Sequence, residues 1–391
     1  MQENDLSGAE AKRRLALIGP VTPFRGGIAQ YTTELHRALS AGCDLQTLSF
    51  RRQYPAWLYP GKSDREPGRQ GYVEPGVDYL LDALNPLTWA AAARSVATRG
   101  CDLAMVNWWT IFWAPGFGLI AHMLRKHGVP VVFLCHNLSD HDSGPLKRAL
   151  TTGLLSLGAA YLAHNRQQAD LLRGLFPGKP VLMHPLPTWN RFPPAMNSLP
   201  RRGRLELLFF GFIRPYKGLD TLVEALARLA DRDVYLTVVG EPWCAPKELR
   251  ARIEAAGAPN IELHLEYVDD VAAADFFERA DMVMLPYREA TGSAVAAVAQ
   301  HYDRPILASR VEGLREVIEE GSTGFLVEPD SPAQLADRLR TITRAQLEQM
   351  RPNVHAYKAR FTWQTLAATL IDLAGELSPE ARRRQPRLPA R

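Results

Sequence analysis

Cysteine is scarce in this chain. Cys43, Cys101, Cys135 and Cys244 are the only four, and no two of them form a C-x-x-C pair. That spacing excludes a zinc knuckle and a disulfide framework, and it fits a reducing cytosol. Met1 to Glu10 is polar and acidic with no apolar run behind it, so a secretory leader is not expected. No zinc-finger, RRM or helix-turn-helix pattern occurs, and nucleic acid is not expected as a partner. A G-x-G-x-x-G fingerprint is also missing around Gly26-Gly27, which argues against a dinucleotide cofactor. One stretch, Leu103 to Leu124, has no Asp, Glu, Lys or Arg and is long enough to span a bilayer. Asn107, Pro115, Gly116, Gly118 and His122 interrupt it, and it opens like a strand, so it reads as strand, loop and buried helix.

What is present is an ordinary globular composition. The chain has 391 residues, 46% hydrophobic and 23% charged, enough for two domains with separate cores. The net charge of +4 is unevenly placed: residues 1–200 hold 20 Lys and Arg against 14 Asp and Glu, whereas residues 201–391 hold 26 against 28. A basic N-terminal half suits an anionic partner, such as a phospholipid surface or a lipid-pyrophosphate acceptor, and equally suits plain solubility.

Strand and helix patterns alternate in both halves, which implies parallel, doubly wound α/β sheets. Strands are expected at Arg14–Ile18, Leu45–Phe50, Leu103–Val106, Val129–Cys135, Ala159–Ala163 and Pro180–Met183, with helices at Ile28–Leu39, Pro86–Arg99 and Leu146–Leu157. Arg51 to Gly76 reads as irregular. Pro185 to Arg204 holds five prolines and reads as a linker. Strands then recur at Leu205–Phe210, Val234–Val239, Ile261–Leu265, Met282–Leu285, Pro305–Ala308 and Gly324–Val327, and Phe361–Leu377 reads as a last amphipathic helix. The arginine-rich end, residues 379–391, is expected to be disordered.

The most informative segment lies between the strand at Leu205–Phe210 and a helix at Asp220–Ala230 that carries Leu222, Leu226 and Leu229 on one side. Gly211 ends the strand, and Arg214 and Lys217 follow. In open α/β sheets this carboxyl edge is where ligands bind. Two cations there fit a diphosphate leaving group whose charge they would neutralise; a solvated surface turn is the plain alternative. Further on, a strand ends at Leu285 and a helix is expected from about Ser293 to Tyr302. Thr291, Gly292 and Ser293 would then offer backbone N–H groups at a helix N-terminus, a ready anion site. Simple capping by Thr291 or Ser293 is compatible with the same residues.

Phe210-Gly211-Phe212-Ile213-Arg214-Pro215-Tyr216-Lys217-Gly218 resembles the donor-domain signature of retaining GT-B glycosyltransferases of family 4. The likeness runs over roughly residues 15–375, through Gly26-Gly27, His136-Asn137, His184-Pro185, Val238 to Glu241 and Leu285 to Ser293. It implies two Rossmann-like domains facing a central cleft: residues 1–190 for the acceptor, a linker at 191–204, residues 205–360 for the donor, and a helix at 361–378 crossing back. It also implies a nucleotide sugar as co-substrate, no cofactor, no metal and no covalent intermediate. Arg214 and Lys217 would contact the diphosphate beside Gly211, and His136 would contact the sugar near its reacting carbon. Gly240 would admit the nucleotide, Tyr267 and Val268 would flank the base, and Glu241 could bind the ribose or simply be solvated. Most of the family carries two glutamates eight positions apart, and those positions fall here on Ala290 and Val298. Glu289 can substitute for the first. The chain resembles the subset with Pro-Tyr-x-x-x-Thr-x-Ser at this point.

On the acceptor side, Arg25, Gly26 and Gly27 open a helix, and Trp108 and Trp109 follow a strand edge where they could stack on a sugar. Asp140-His141-Asp142 matches a D-x-D metal pattern but reads as loop. His164 and His184 end strands and could line a cleft or cap the strand ends. The leading expectation is hexosyl transfer to a saccharide or lipid-linked acceptor, in the cytoplasm, with peripheral contact to an anionic membrane. A catalytically silent protein that binds a nucleotide sugar or a partner is the alternative, as is an epimerase or hydrolase on the same fold.

Overall fold

The computed structural model describes residues 12–55, 64–66, 71–136, 138, 144–188, 192–229, 231, 233–258, 260–290 and 292–378. The expected tail at 379–391, the D-x-D triplet, Asn137 and Thr291 lie outside them. The chain forms two compact units, one running to His184 and resuming at Trp363, the other spanning Pro185–Thr362.

The first unit is built on seven parallel strands: β1 (Arg14–Ile18), β2 (Asp44–Arg52), β3 (Val77–Asp82), β4 (Leu103–Trp108), β5 (Val131–Cys135), β6 (Ala160–Ala163) and β7 (Val181–Met183). Their order is β3-β2-β1-β4-β5-β6-β7, so the winding reverses between β1 and β4. Every residue of β4 and β5 is buried, as expected of central strands covered by helices on both faces. Leu103–Leu124 resolves into β4, a short 3-10 turn and the helix Ala114–Lys126. Among the described residues no helix is long and apolar enough to cross a membrane. The last helix, Trp363–Leu377, packs in this unit against Gly27–Gly42, where Ile371 Cδ1 stands 3.0 Å from the point a Cβ on Gly42 would occupy.

Strand β3 was not expected. It is a short edge strand entered through Gly76 at φ 75°, with a register irregularity against β2, so its six residues carry little periodicity. The aromatic concentration in this half is mostly core. Trp113 is 1% exposed, stacks on Phe117 at 5.5 Å, and donates its indole N–H to the Gln53 carbonyl at 3.1 Å. Trp108 needs a correction as an acceptor-stacking residue: it completes β4 and is only 2% exposed, so its ring is a core surface.

The second unit carries six parallel strands: β8 (Leu205–Phe210), β9 (Val234–Val239), β10 (Ile261–His264), β11 (Met282–Leu285), β12 (Ile306–Ser309) and β13 (Gly324–Val327). The order β10-β9-β8-β11-β12-β13 puts the reversal between β8 and β11. Two helices after β13, Pro332–Thr341 and Arg344–Arg360, were not expected. The longer one contains Pro352, which reads as a helix breaker, yet Leu347, Met350, Val354 and Tyr357 are buried along it.

Replacing Trp113 with Ala should lower the stability of the first unit by about 3–5 kcal/mol through the cavity it leaves. Calorimetry should show that unit's transition moving while the second stays in place.

Candidate active site

The reversal between β8 and β11 is where a doubly wound sheet opens a crevice at its carboxyl edge. Arg214 and Lys217 leave β8 on that edge, and the 286–293 loop leaves β11 beside them. Gly211 ends β8 at φ 88°. A Cβ there would lie 3.2 Å from Lys217 Nζ, so the glycine leaves room for the ammonium. Pro215–Lys217 forms a 3-10 turn that closes on Gly218 at φ 66°. A Cβ on Gly218 would come within 2.0 Å of the Pro286 carbonyl oxygen, so only glycine lets the two loops meet.

Arg288 locks that meeting. Its backbone N–H donates to the Tyr216 carbonyl at 2.7 Å, and its guanidinium bonds the Pro215 carbonyl. The same group pairs with Asp220 at 2.9 Å and with Asp330 at 2.7 Å. Arg288 is thus fully committed to holding the turn.

Arg214 and Lys217 are the opposite case. Neither has an acidic partner among the described residues. Arg214 Nε is buried with no hydrogen bond. Lys217 is 7% exposed, and its nearest aromatic is Tyr287, 5.6 Å from Nζ to the ring centroid. Burial first, and then the Arg214 charge, bring the Lys217 pKa down to about 8. Two cations kept partly dry, with no acid against them among the described residues, are an arrangement that can take an anion. Ser293 caps the helix Ala294–His301, its hydroxyl accepting from the Ala296 N–H at 3.2 Å. Gly292 is exposed, and Glu289 is exposed and near Tyr216.

The other residues expected on the donor side occupy neighbouring strand ends. Gly240 follows β9 at φ 148°, and a Cβ on it would strike the Gly211 carbonyl oxygen at 2.1 Å. Backbone crowding at Gly211 is therefore itself enough to require glycine at 240. Glu241 is exposed, Tyr267 is 57% exposed beyond β10, and Val268 is half-buried.

The first unit gathers a different group at its own strand ends. His136 follows β5, and its backbone N–H donates to the Trp108 carbonyl at 2.9 Å. Its Nε2 lies 2.7 Å from Asn107 Oδ1, an acceptor, so that nitrogen carries the proton and Nδ1 is left as an acceptor. The ring stacks on His164 at 5.2 Å and meets Tyr31 edge-on at 4.5 Å. Burial, and secondarily His164, hold the His136 pKa well below the usual imidazole value, so the ring is neutral at physiological pH. His164 Nδ1 bonds the His184 carbonyl at 2.9 Å, while its Nε2 and the Tyr31 hydroxyl are buried without partners. Gly26 caps the helix Gly27–Gly42 without a side-chain bond, and nothing lies within 4 Å of where a Cβ on Gly26 or Gly27 would sit. Arg25 is half-buried, and its backbone N–H bonds the Asp64 carbonyl at 2.8 Å. Trp109 is half-buried and donates to the Tyr54 hydroxyl at 3.0 Å.

The sequence by itself points to no role for Arg288, Tyr287, Asn107 or Tyr31. Arg288 and Tyr287 sit inside the 285–293 motif, so their position is visible there. Asn107 was visible only as a polar residue in an apolar run. Tyr31 carried no signal, because its meeting with His136 and His164 depends on how the first helix packs.

Two family profiles match the chain: residues 26–189 fit "Glycosyl transferase 4-like domain", and residues 204–344 fit "Glycosyl transferases group 1". The first profile takes in six of the first unit's seven strands, all but β1, the second takes in all six strands of the other unit, and together they span most of the chain. This protein is a GT-B glycosyltransferase. The D-inositol 3-phosphate glycosyltransferase 2 of Catenulispora acidiphila is 27% identical over 92% of this chain and 94% of its own. The GDP-mannose:glycolipid 4-beta-D-mannosyltransferase of Xanthomonas campestris pv. campestris is 30% identical over 58% of this chain and 64% of its own. The structure of Anabaena Alr3699/HepE in complex with UDP superposes with a TM-score of 0.70 at 17% identity, covering 93% of this chain and all of that one, and so shares its fold.

In this glycosyltransferase the depressed Lys217 pKa sets a pH signature. The folded state holds the proton less tightly than the unfolded chain, whose value is 10.5. The resulting penalty is complete below about pH 8 and fades as pH rises towards 10.5; it is on the order of 3 kcal/mol. Lys217→Met should therefore raise the unfolding temperature of the second unit at pH 7. The gap between variant and wild type should close between pH 8 and 10.5, as read by thermal scans across that range.

Proposed function

We propose that this glycosyltransferase moves a hexose, with retention of configuration and without a metal, from a nucleoside-diphosphate sugar to a saccharide or lipid-linked acceptor. The observation that carries the reading is the pair Arg214 and Lys217, two cations at the reversal of the second sheet with no carboxylate against them among the described residues. A diphosphate brings the charge they lack. It gains negative charge as the glycosidic bond breaks, so the pair binds the transition state more tightly than the ground state. The open N–H groups beside Gly292 and Ser293 add the positive end of a helix dipole. His136 is neutral and offers an acceptor nitrogen, which suits contact with a sugar hydroxyl better than with phosphate. No nucleophilic side chain is needed if the departing diphosphate takes the acceptor proton on the face where the acceptor attacks.

The relatives support the choice of substrates. One is named for GDP-mannose and a glycolipid, another for an inositol phosphate, and a protein of the same fold binds UDP. The basic balance of residues 1–200 suits an anionic or lipid-linked acceptor, and a peripheral position at the inner face of a membrane accords with it. A second reading, a silent protein that binds a nucleotide sugar, is favoured by Ala290 and Val298 standing where most of the family has glutamates. Val298 is only 5% exposed within its helix, so the site offers no carboxylate at that point.

A thermal-shift panel of UDP-, GDP- and ADP-sugars should show stabilisation by one nucleotide class, lost in Lys217→Ala. Turnover should then require an acceptor and fall at least about 100-fold in Lys217→Ala, the scale of losing one charged transition-state contact. NMR of the product anomeric proton should show the donor's configuration. Binding without turnover for any acceptor would favour the silent reading, and an inverted product would remove retention.

A further inference from the structure

Arg214 and Trp243 are brought side by side by an extension of the sheet beyond its regular strands. The Gly211 N–H bonds the Val239 carbonyl at 2.9 Å, and the Ile213 N–H bonds the Glu241 carbonyl at 2.9 Å. The Trp243 N–H then returns to the Ile213 carbonyl at 3.1 Å, and Ile213 and Pro242 form an isolated parallel bridge. The ladder between β8 and β9 thus continues for several residues past both strand ends. Arg214 and Trp243 are the next residues on either side of that bridge.

The Arg214 guanidinium carbon sits over the Trp243 ring. Arg214 Cζ lies 3.6 Å from the centroid of the Trp243 ring, with the Phe212 ring at 5.7 Å. A guanidinium held this way differs from one held by a carboxylate. An acid would neutralise the charge and use the in-plane N–H donors. An aromatic face attracts the cation through the ring quadrupole and leaves the planar edge free to donate. Arg288, which packs against the same turn, shows the alternative: its donors are spent on Asp220, Asp330 and a carbonyl. Trp243 itself is 62% exposed.

We infer that Trp243 is a positioning residue that holds Arg214 with its charge uncompensated, so that the guanidinium edge is ready for the diphosphate of the donor. The inference rests on the reading of Arg214 as a diphosphate contact and adds a residue that the β8 motif does not contain. Trp243 acts on the phosphates through Arg214 rather than by touching the base.

Calorimetric titration tests this with inorganic pyrophosphate, UDP, GDP, uridine and guanosine, on wild type, Trp243→Ala, Trp243→Phe, Arg214→Ala and the double variant. Trp243→Ala should weaken pyrophosphate and the bound nucleoside diphosphate by about two- to fivefold, the size of one solvent-exposed cation–π contact. It should leave nucleoside binding unchanged and lower the unfolding temperature only slightly. Trp243→Phe should recover most of the loss. In the Arg214→Ala background, Trp243→Ala should cost nothing further, because the two losses are one interaction. Wild-type affinity for pyrophosphate in Trp243→Ala would overturn the inference while leaving the diphosphate site intact. A loss confined to uridine or guanosine would make Trp243 a base platform instead. Additive losses in the double variant would separate Trp243 from Arg214. Failure of the wild type to bind any diphosphate would overturn both this inference and the reading on which it rests.

Discussion

Lys217 buries an ammonium with no counter-ion among the described residues, and much of the second unit's local architecture exists to tolerate it. Gly211 leaves the volume the ammonium occupies, and the Tyr287 ring faces it. The Lys217 turn stays in place because Gly218 lets it press against Pro286 and because Arg288 ties both loops together. An unpaired, dehydrated charge is unfavourable by several kcal/mol in general, and only a rigid surround keeps it from turning to water. The surround here is the carboxyl edge of a parallel sheet whose interior strands are almost wholly buried. Stability from the sheet is thus converted into an electrostatic readiness at its edge.

The same edge explains why glycines gather at the strand ends. Parallel strands continue pairing as far as their backbones can approach, and between β8 and β9 they approach to the point where Gly240 and Gly211 nearly touch. That continuation carries the ladder to Ile213 and Pro242. Side chains rooted immediately beyond it inherit the sheet's precision rather than the freedom of a loop.

The two units present contrasting electrostatics at their strand ends. The second offers two full positive charges. The first offers imidazoles that burial keeps neutral, packed with Tyr31 and bonded to Asn107 or to a carbonyl. Neutral rings of this kind donate and accept hydrogen bonds without imposing a field, which is the chemistry of hydroxyl recognition rather than of phosphate recognition.

Much of this fold follows from local pattern. The strands Arg14–Ile18, Leu205–Phe210, Val234–Val239, Met282–Leu285 and Gly324–Val327 and the helix Pro86–Arg99 are legible as apolar runs or periodic faces bounded by Gly and Pro, because buried parallel strands and amphipathic helices write themselves into composition. The cations at 214 and 217, with glycines on either side, are legible for the same reason, since a strand-to-helix turn has a fixed chemistry. Edge strand Val77–Asp82 and the helix carrying Pro352 are not, because neighbours rather than propensity hold them. Trp108 looked like an exposed ring at a strand end, yet the strand ran two residues further and buried it. What tertiary structure alone decides is which charges go unpaired. Arg214 and Arg288 are both arginines in strand-end loops of this unit. One is neutralised by Asp220 and Asp330, far away in sequence, and the other lies on Trp243 and keeps its charge. Whether a cation finds a carboxylate or an aromatic face depends on which strand ends lie side by side, and that is a property of sheet order that no local segment contains.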